Sequence, residues 1–253
     1  MSILGIAARW LFVLCIPVLL VTASQSWLVN SLWFYERGFR IHDASQATGL
    51  AEEELVRAAR GLIDYFNSPS HISLLHDFLA ARGLIEPIYG GERISLTVIK
   101  DGQPFGLFTE IEILHLRDVR ILFRLGYYLL GGALAYIVIY SLVMLLWRRG
   151  GSWQILASGV FRGSLLTLGL VGALAIGAVF AFDQLFWLWH VPVFRWGFGN
   201  DYWILGWQHY LIKMFPGGFW LDGVILGTLA VVVAAVVLGG GAAYLNRRRR
   251  SKA

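Results

Sequence analysis

Residues 125–147 read LGYYLLGGALAYIVIYSLVMLLW and run directly into Arg148 and Arg149. Those 23 positions contain no Asp, Glu, Lys, Arg or His, and roughly 20 apolar residues suffice for a helix to cross a hydrocarbon core. A segment this apolar, closed by two arginines, reads as a transmembrane helix ending on the cytoplasmic side. Three further stretches of similar character lie on either side of it, at Ala8 to Val29, Gly163 to Phe182 and Gly223 to Leu245. The whole chain of 253 residues is 57% hydrophobic and only 15% charged, with a mean hydropathy of +0.64. Together these exclude a water-soluble globule. The first stretch also carries features of a signal peptide, with Arg9 ahead of it and Val21-Thr22-Ala23 as a small-residue site. Trp27, Leu28 and Val29 extend its apolar run, and with Trp33 they suit an outer-interface belt, so a retained helix is expected.

Charge placement orients the spans. Arg9, Arg148, Arg149, Arg162, Arg247 to Arg250 and Lys252 lie near the proposed inner ends with no acid among them. Thirteen of the sixteen acids fall between Glu36 and Asp118, and the others are Asp183, Asp201 and Asp222. The positive-inside rule then puts both termini in the cytoplasm and two segments outside, and all six His are on that outer side. The basic tail reads as a stop-transfer and anionic-lipid contact, not as a nucleic-acid patch. The expected organisation is a first transmembrane helix within 1–30, an extracytoplasmic cap over 31–120 and a second helix over 121–147. A cytoplasmic loop (148–162), a third helix (163–182), an aromatic interfacial segment (183–222), a fourth helix (223–245) and a basic tail (246–253) follow.

Local signals fill in the two outer segments. Thr48 is expected to cap a helix whose first turn holds Glu52 to Glu54, with Leu55, Val56, Ala59, Leu62, Ile63 and Phe66 as its apolar stripe and Asn67-Ser68-Pro69 as its stop. A second helix is expected near His71 to Arg82, ending at Gly83. Ile94 to Ile99 and Pro104 to Phe108, on either side of Lys100-Asp101-Gly102-Gln103, signal a hairpin, which makes this a small α+β cap. Thr109 with Glu112 forms a capping-box pattern that opens a helix running into the second span. Residues 183–220 hold six Trp, five Phe and two Tyr. Such a stretch belongs at the membrane interface, as two short interfacial or re-entrant pieces near Phe182 to Val193 and Trp203 to Phe215. An Asn200-Asp201 turn separates the pieces, and Pro216-Gly217-Gly218 ends the second.

Glu112, His115, Asp118 and Val119 share one helical face. Two readings of that face stand. A carboxylate one turn from an imidazole can orient a general base. Alternatively, Glu112 completes the capping box, Asp118 pairs with Arg117 or Arg120, and His115 sits at a wet interface. His190, set among Phe186, Trp187, Trp189 and Trp196, needs a polar partner, and an ionisable group at membrane depth is a functional candidate. His209 and Lys213 are one turn apart, either as a headgroup-binding pair or with Lys213 snorkelling; His42, His71 and His76 read as solvated. No HxxxH or HExxH spacing supports zinc or haem, Cys15 lies mid-span, and no GxSxG elbow offers a nucleophile. Neither metal nor cofactor is expected.

Glu112-Ile-Leu-His115-Leu-Arg-Asp118-Val119, leading into a transmembrane helix, resembles the ExxHxxDV element of the bacterial lipoprotein intramolecular transacylase (Lit) family. Phe186 to His190, Asn200-Asp201-Tyr202-Trp203, Leu211 to Pro216 and Phe219-Trp220-Leu221-Asp222 resemble the family's His, Asn-x-x-Trp, Leu-Ile-x-x-Phe-Pro and Phe-Trp-x-Asp series. Asp64-Tyr65-Phe66-Asn67 also agrees. By motif the likeness covers roughly residues 62–222. The stretch Val193 to Gly199 departs from the family's pattern in length, at Phe194 and Arg195.

The resemblance implies an acyltransferase of the bacterial cytoplasmic membrane with its site facing the extracytoplasmic leaflet. Such an enzyme moves the sn-2 acyl chain of an S-diacylglyceryl-cysteine lipoprotein to that cysteine's α-amino group, leaving a lyso-form lipoprotein. It implies His115 as general base, oriented by Glu112 or Asp118, and His190 as acid or oxyanion donor. Asn200, Arg195 and Trp203 would support them, with Lys213 as a further substrate contact. No covalent acyl-enzyme is needed, and the partners are a diacylated lipoprotein and membrane phospholipids; no oligomeric state follows. The alternative from another class is a non-enzymatic membrane scaffold that binds lipid or protein. A haem or quinone protein and a transporter are the remaining readings, and four uncharged spans without inverted repeats offer a transporter no ion path.

Overall fold

The computed structural model describes residues 3–68, 79, 82, 93–147 and 153–250. Four long helices carry the apolar stretches: α1 (Ile3–Val29), α5 (Glu110–Trp147), α6 (Trp153–His190) and α8 (Gly217–Arg250). Between α1 and α5 lie α2 (Leu32–Ile41), α3 (Ala44–Thr48), α4 (Glu52–Asn67), β1 (Thr97–Lys100) and β2 (Gln103–Gly106). A π-helical segment, Val191–Phe198, continues α6, and α7 (Tyr210–Met214) precedes α8. The expected helix near His71 to Arg82 lies almost wholly outside the described residues, as do His71, His76, Arg148 and Arg149.

The chain divides into two units. The first comprises Met1–Ser26, Gly126–Gly177 and Ile225–Ala253, the apolar lengths of the four long helices. Ile16, Leu20, Val171, Val231 and Ala235 form its core. Small residues let these helices approach closely. A Cβ on Gly163 would stand 2.6 Å from Ile16 Cβ and 2.9 Å from the Val13 carbonyl, and one on Gly239 would stand 2.9 Å from Ser164 Cβ. Two buried hydroxyls here bond backbone carbonyls, as an apolar solvent favours. Ser24 donates to the Gly227 carbonyl at 3.1 Å, and Thr167 to Gly163 at 2.8 Å.

The second unit comprises Trp27–Leu125 and Ala178–Val224. An aromatic cluster in it joins Phe34, Tyr35 and Phe39 of α2 to Phe215 and to Phe219 of α8 by ring contacts of 4.7 to 6.3 Å. Amphipathic α4 buries Leu55, Ala58, Ala59, Leu62, Tyr65 and Phe66, close to the expected stripe. The strands pair Lys100 with Gln103 across Asp101 and Gly102, whose φ of 53° and 75° match a two-residue hairpin turn. Lys100 and Gln103 are thus the last ladder pair and lie outside the turn. The sheet is tied to α4 where the Ile99 amide donates to Glu54 at 3.0 Å.

Several expectations are corrected. Thr48 does not cap α4; it closes α3, donating to Ala44 and accepting from the Leu50 amide, and Ala51 stands at the cap of α4. His42 is not solvated: its Nε2 lies 3.2 Å from the Asp222 carboxylate, and its ring packs on Gly218. The piece expected at Phe182 to Val193 is the C-terminal end of α6, separated from the rest of that helix by non-helical backbone at Ala181 (φ −150°, ψ 44°). The piece expected over Trp203 to Phe215 shrinks to α7. Pro216-Gly217-Gly218 opens α8, because proline is tolerated where a helix begins, and the Pro216 carbonyl accepts the Phe219 amide at 2.9 Å.

Candidate functional site

At the start of α5 the Glu112 half of the expected capping box forms, while the Thr109 hydroxyl donates to that carboxylate instead of accepting the Glu112 amide. Glu112, fully buried, accepts the Thr109 amide at 2.8 Å and the Thr109 hydroxyl at 2.6 Å on one oxygen. Its other oxygen accepts the Leu211 amide of α7 at 2.8 Å. A helix leaves its first N–H groups without intrahelical partners, so one carboxylate here caps two helices. His209, at the cap position of α7, lies 3.6 Å from the same carboxylate.

One turn further along α5 stands His115. Its ring centroid is 5.1 Å from that of Phe194, and its Nδ1 is buried without a hydrogen-bond partner among the described residues. Buried polar atoms are rarely left so, and a catalytic role is one of the reasons for which they are. Glu112 and Asp118 do not orient this ring, contrary to the sequence expectation, because both carboxylates are committed elsewhere.

His190, 8% exposed, ends α6 at the transition to the π-helical segment. Such wider turns are common at functional sites. Its ring lies 3.9 Å from Phe186, 4.8 Å from Trp189, 5.2 Å from Trp203 and 5.4 Å from Phe194, the last stacked. Its Nδ1 donates to the Phe186 carbonyl at 2.6 Å. A carbonyl can only accept, so Nδ1 carries the hydrogen, and the neutral ring keeps its lone pair on Nε2. Phe194 therefore touches both imidazoles, which are near enough to act on each other electrostatically.

The remaining expected residues have structural partners. Asp118, fully buried, accepts Asn200 Nδ2 at 2.8 Å and Arg117 at 3.0 Å, and Asn200 Oδ1 accepts the Tyr202 amide. Both ends of Asn200 thus hold the turn that brings Trp203 onto His190, and neither is turned to an oxyanion. Arg195 grips the Asp201 carboxylate with two bonds of 2.8 and 2.9 Å on the exposed surface. This holds the Asp201 carboxyl below its ordinary range. Lys213 is placed over the Tyr210 ring, 5.2 Å from its centroid. Sequence reasoning gave Phe186 and Phe194 no role of their own. Their spacing four residues before and after His190 was the available signal. Among the described residues no three His, Cys, Asp or Glu side chains converge as metal ligands would.

The arrangement can do acid–base chemistry at an apolar surface: two imidazoles, one with a fixed tautomer, share a phenyl ring. The fold resembles the in meso structure of the membrane integral lipoprotein intramolecular transacylase Lit from Bacillus cereus, with a TM-score of 0.72, 17% identity and 97% of each chain covered. Two structures of that protein with a histidine replaced give TM-scores of 0.70 for the arginine variant and 0.69 for the alanine variant, each at 16% identity. They cover 98% and 97% of this chain and 94% of the other. No curated protein sequence matches significantly. The family model for lipoprotein intramolecular transacylase Lit matches residues 10–220, so the chain belongs to the Lit family of membrane-integral acyltransferases.

Proposed function

We propose that this transacylase moves the sn-2 acyl chain of an S-diacylglyceryl-cysteine lipoprotein to the α-amino group of the same cysteine, using His190 and His115. The observation that carries the reading is the pair of imidazoles that both touch Phe194. An α-ammonium has a pKa near 8 and must lose a proton before its nitrogen attacks the ester carbonyl. The ammonium gives that first proton to solvent, and His190 Nε2, left with its lone pair by the Nδ1 bond to Phe186, takes the second proton from the nitrogen as it attacks. The nitrogen–carbon bond forms, the carbonyl becomes a tetrahedral oxyanion, and His115 supplies a neutral N–H donor to it. The bond from carbon to the glyceryl oxygen then breaks, and His190 returns its proton to that oxygen. Sequence alone made His115 the base; the carbonyl bond at His190 favours exchanging the two roles. Amine and ester belong to one substrate, so binding aligns them and no acyl-enzyme is required.

Asp118, Asn200 and Trp203 act in this scheme by holding His190 in place, and Glu112 by joining α5 to α7. The positive-inside pattern supports cytoplasmic termini and a site facing the outer leaflet. The test is mass spectrometry of the N-terminal lipopeptide from a reporter lipoprotein. The reporter is co-expressed with wild-type, His115→Ala or His190→Ala protein in a host that makes only the diacylglyceryl form and carries different chains at sn-1 and sn-2. Conversion to an isobaric N-acyl lyso form bearing the sn-2 chain, lost in both variants, is the expected result. An unchanged lipopeptide beside well-expressed wild-type protein overturns the proposal, and an N-linked sn-1 chain overturns its positional part.

A further inference from the structure

Away from the histidines, two cations lie beside one tyrosine, Lys100 beyond its hydroxyl and Lys213 against its ring. Lys100 Nζ, from the hairpin, stands 5.3 Å from the Tyr210 centroid and donates to the Tyr210 hydroxyl at 2.7 Å and the Thr48 carbonyl at 3.2 Å. Lys213 Nζ, from α7, stands 5.2 Å from the same centroid. Among the described residues neither ammonium lies within ion-pair distance of a carboxylate; Asp101, at the hairpin turn, acts on Lys100 only at longer range. Two like charges beside one tyrosine repel each other, and an anion between them relieves that repulsion. The surroundings give the depth at which that anion would be found. Trp207 is 81% exposed, Trp220 41% and Ile212 36%. Exposed indoles around a short helix sit at the headgroup level of a bilayer, where the available anion is a phosphate.

We infer that Lys100 and Lys213 hold the phosphate of an anionic phospholipid beside Tyr210. The site is separate from the acyl-transfer proposal and stands whichever histidine is the base. A bound lipid there braces α7, whose Leu211 amide is bonded to Glu112 three residues before His115.

The full chain in mixed micelles provides the test. Native mass spectrometry counts retained phosphatidylglycerol against phosphatidylcholine, and thermal unfolding is followed with each lipid and with inorganic phosphate alone. Wild-type protein is expected to retain one phosphatidylglycerol preferentially and to gain stability from it but not from inorganic phosphate. Lys213→Gln should weaken the preference about fivefold, the equivalent of the ~1 kcal/mol that one basic residue gains near an anionic surface. Among the described residues the Lys213 side chain makes only a ring contact, so its loss breaks no hydrogen bond among them, and Lys213→Arg should keep the preference. Equal retention of the two lipids by wild type, an undiminished preference in Lys213→Gln, or an equal gain from inorganic phosphate each overturns the inference.

Discussion

Replacing Glu112 by Gln keeps the shape of the side chain and removes one of its two acceptor oxygens. In the wild type one oxygen takes the Thr109 amide and hydroxyl while the other takes the Leu211 amide, all within 2.8 Å and fully buried. Glutamine can serve only one side. If its carbonyl stays with Thr109, its NH2 faces the Leu211 N–H, and two buried donors confront each other. A hydrogen bond to a charged group contributes about 1.5–3 kcal/mol, and a buried donor left unmade costs about 1–3 kcal/mol. The two effects overlap, so a loss of ~2–4 kcal/mol is expected. Unfolding of the purified variant in micelles, followed by tryptophan fluorescence, measures it. Lipopeptide turnover, measured well below the midpoint, should fall less than about threefold per folded molecule, because His115 gives no hydrogen bond to this carboxylate. A stability change below about 0.5 kcal/mol would refute the two-helix cap. A fully folded variant with turnover reduced a hundredfold or more would show that Glu112 acts on the chemistry itself.

Asn200→Asp places a second carboxylate 2.8 Å from buried Asp118; about 2 kcal/mol of stability and roughly tenfold in turnover should be lost, read by the same two assays. In the first unit, Gly163→Ala drives a Cβ against Ile16 and the Val13 carbonyl and should destabilise by about 1–3 kcal/mol, whereas Gly172→Ala meets nothing within 4 Å and should be neutral or slightly stabilising. The folded-state pKa of Asp201 lies below its ordinary value through the Arg195 bonds, so the pair's contribution is present above the unfolded carboxylate range and lost as pH falls through the folded value. The difference in Tm between wild type and Asp201→Asn, small for an exposed pair, should therefore vanish in acid below about pH 3 and be present at pH 6.

Much of this molecule was legible along the chain. Hydrophobic runs without charge can only be spans, because the bilayer gives an unpaired polar group no water. The capping box at Thr109 and Glu112 and the hairpin around Asp101-Gly102 are local, set by side chains within a few residues of the backbone they bond. The ordered motifs around His115 and His190 placed the chain in its family. Other features depended on partners distant in sequence. Thr48 looked like a cap until α3 claimed its hydroxyl, and His42 looked solvated because Asp222 lies 180 residues away. Glu112 was legible as a capping residue, but its hold on Leu211, 99 residues on, was not.

The residue types available for proton chemistry, and the membrane character of the chain, were therefore determined by sequence alone, since hydropathy and short-range capping are properties of neighbouring residues. Which nitrogen of His190 carries its hydrogen, which carboxylates are already committed, and that Phe194 joins the two imidazoles were decided only by tertiary structure. Hydrogen bonds and ring contacts act over a few ångströms in space, and a chain brings to that distance groups whose separation in sequence gives no sign of it.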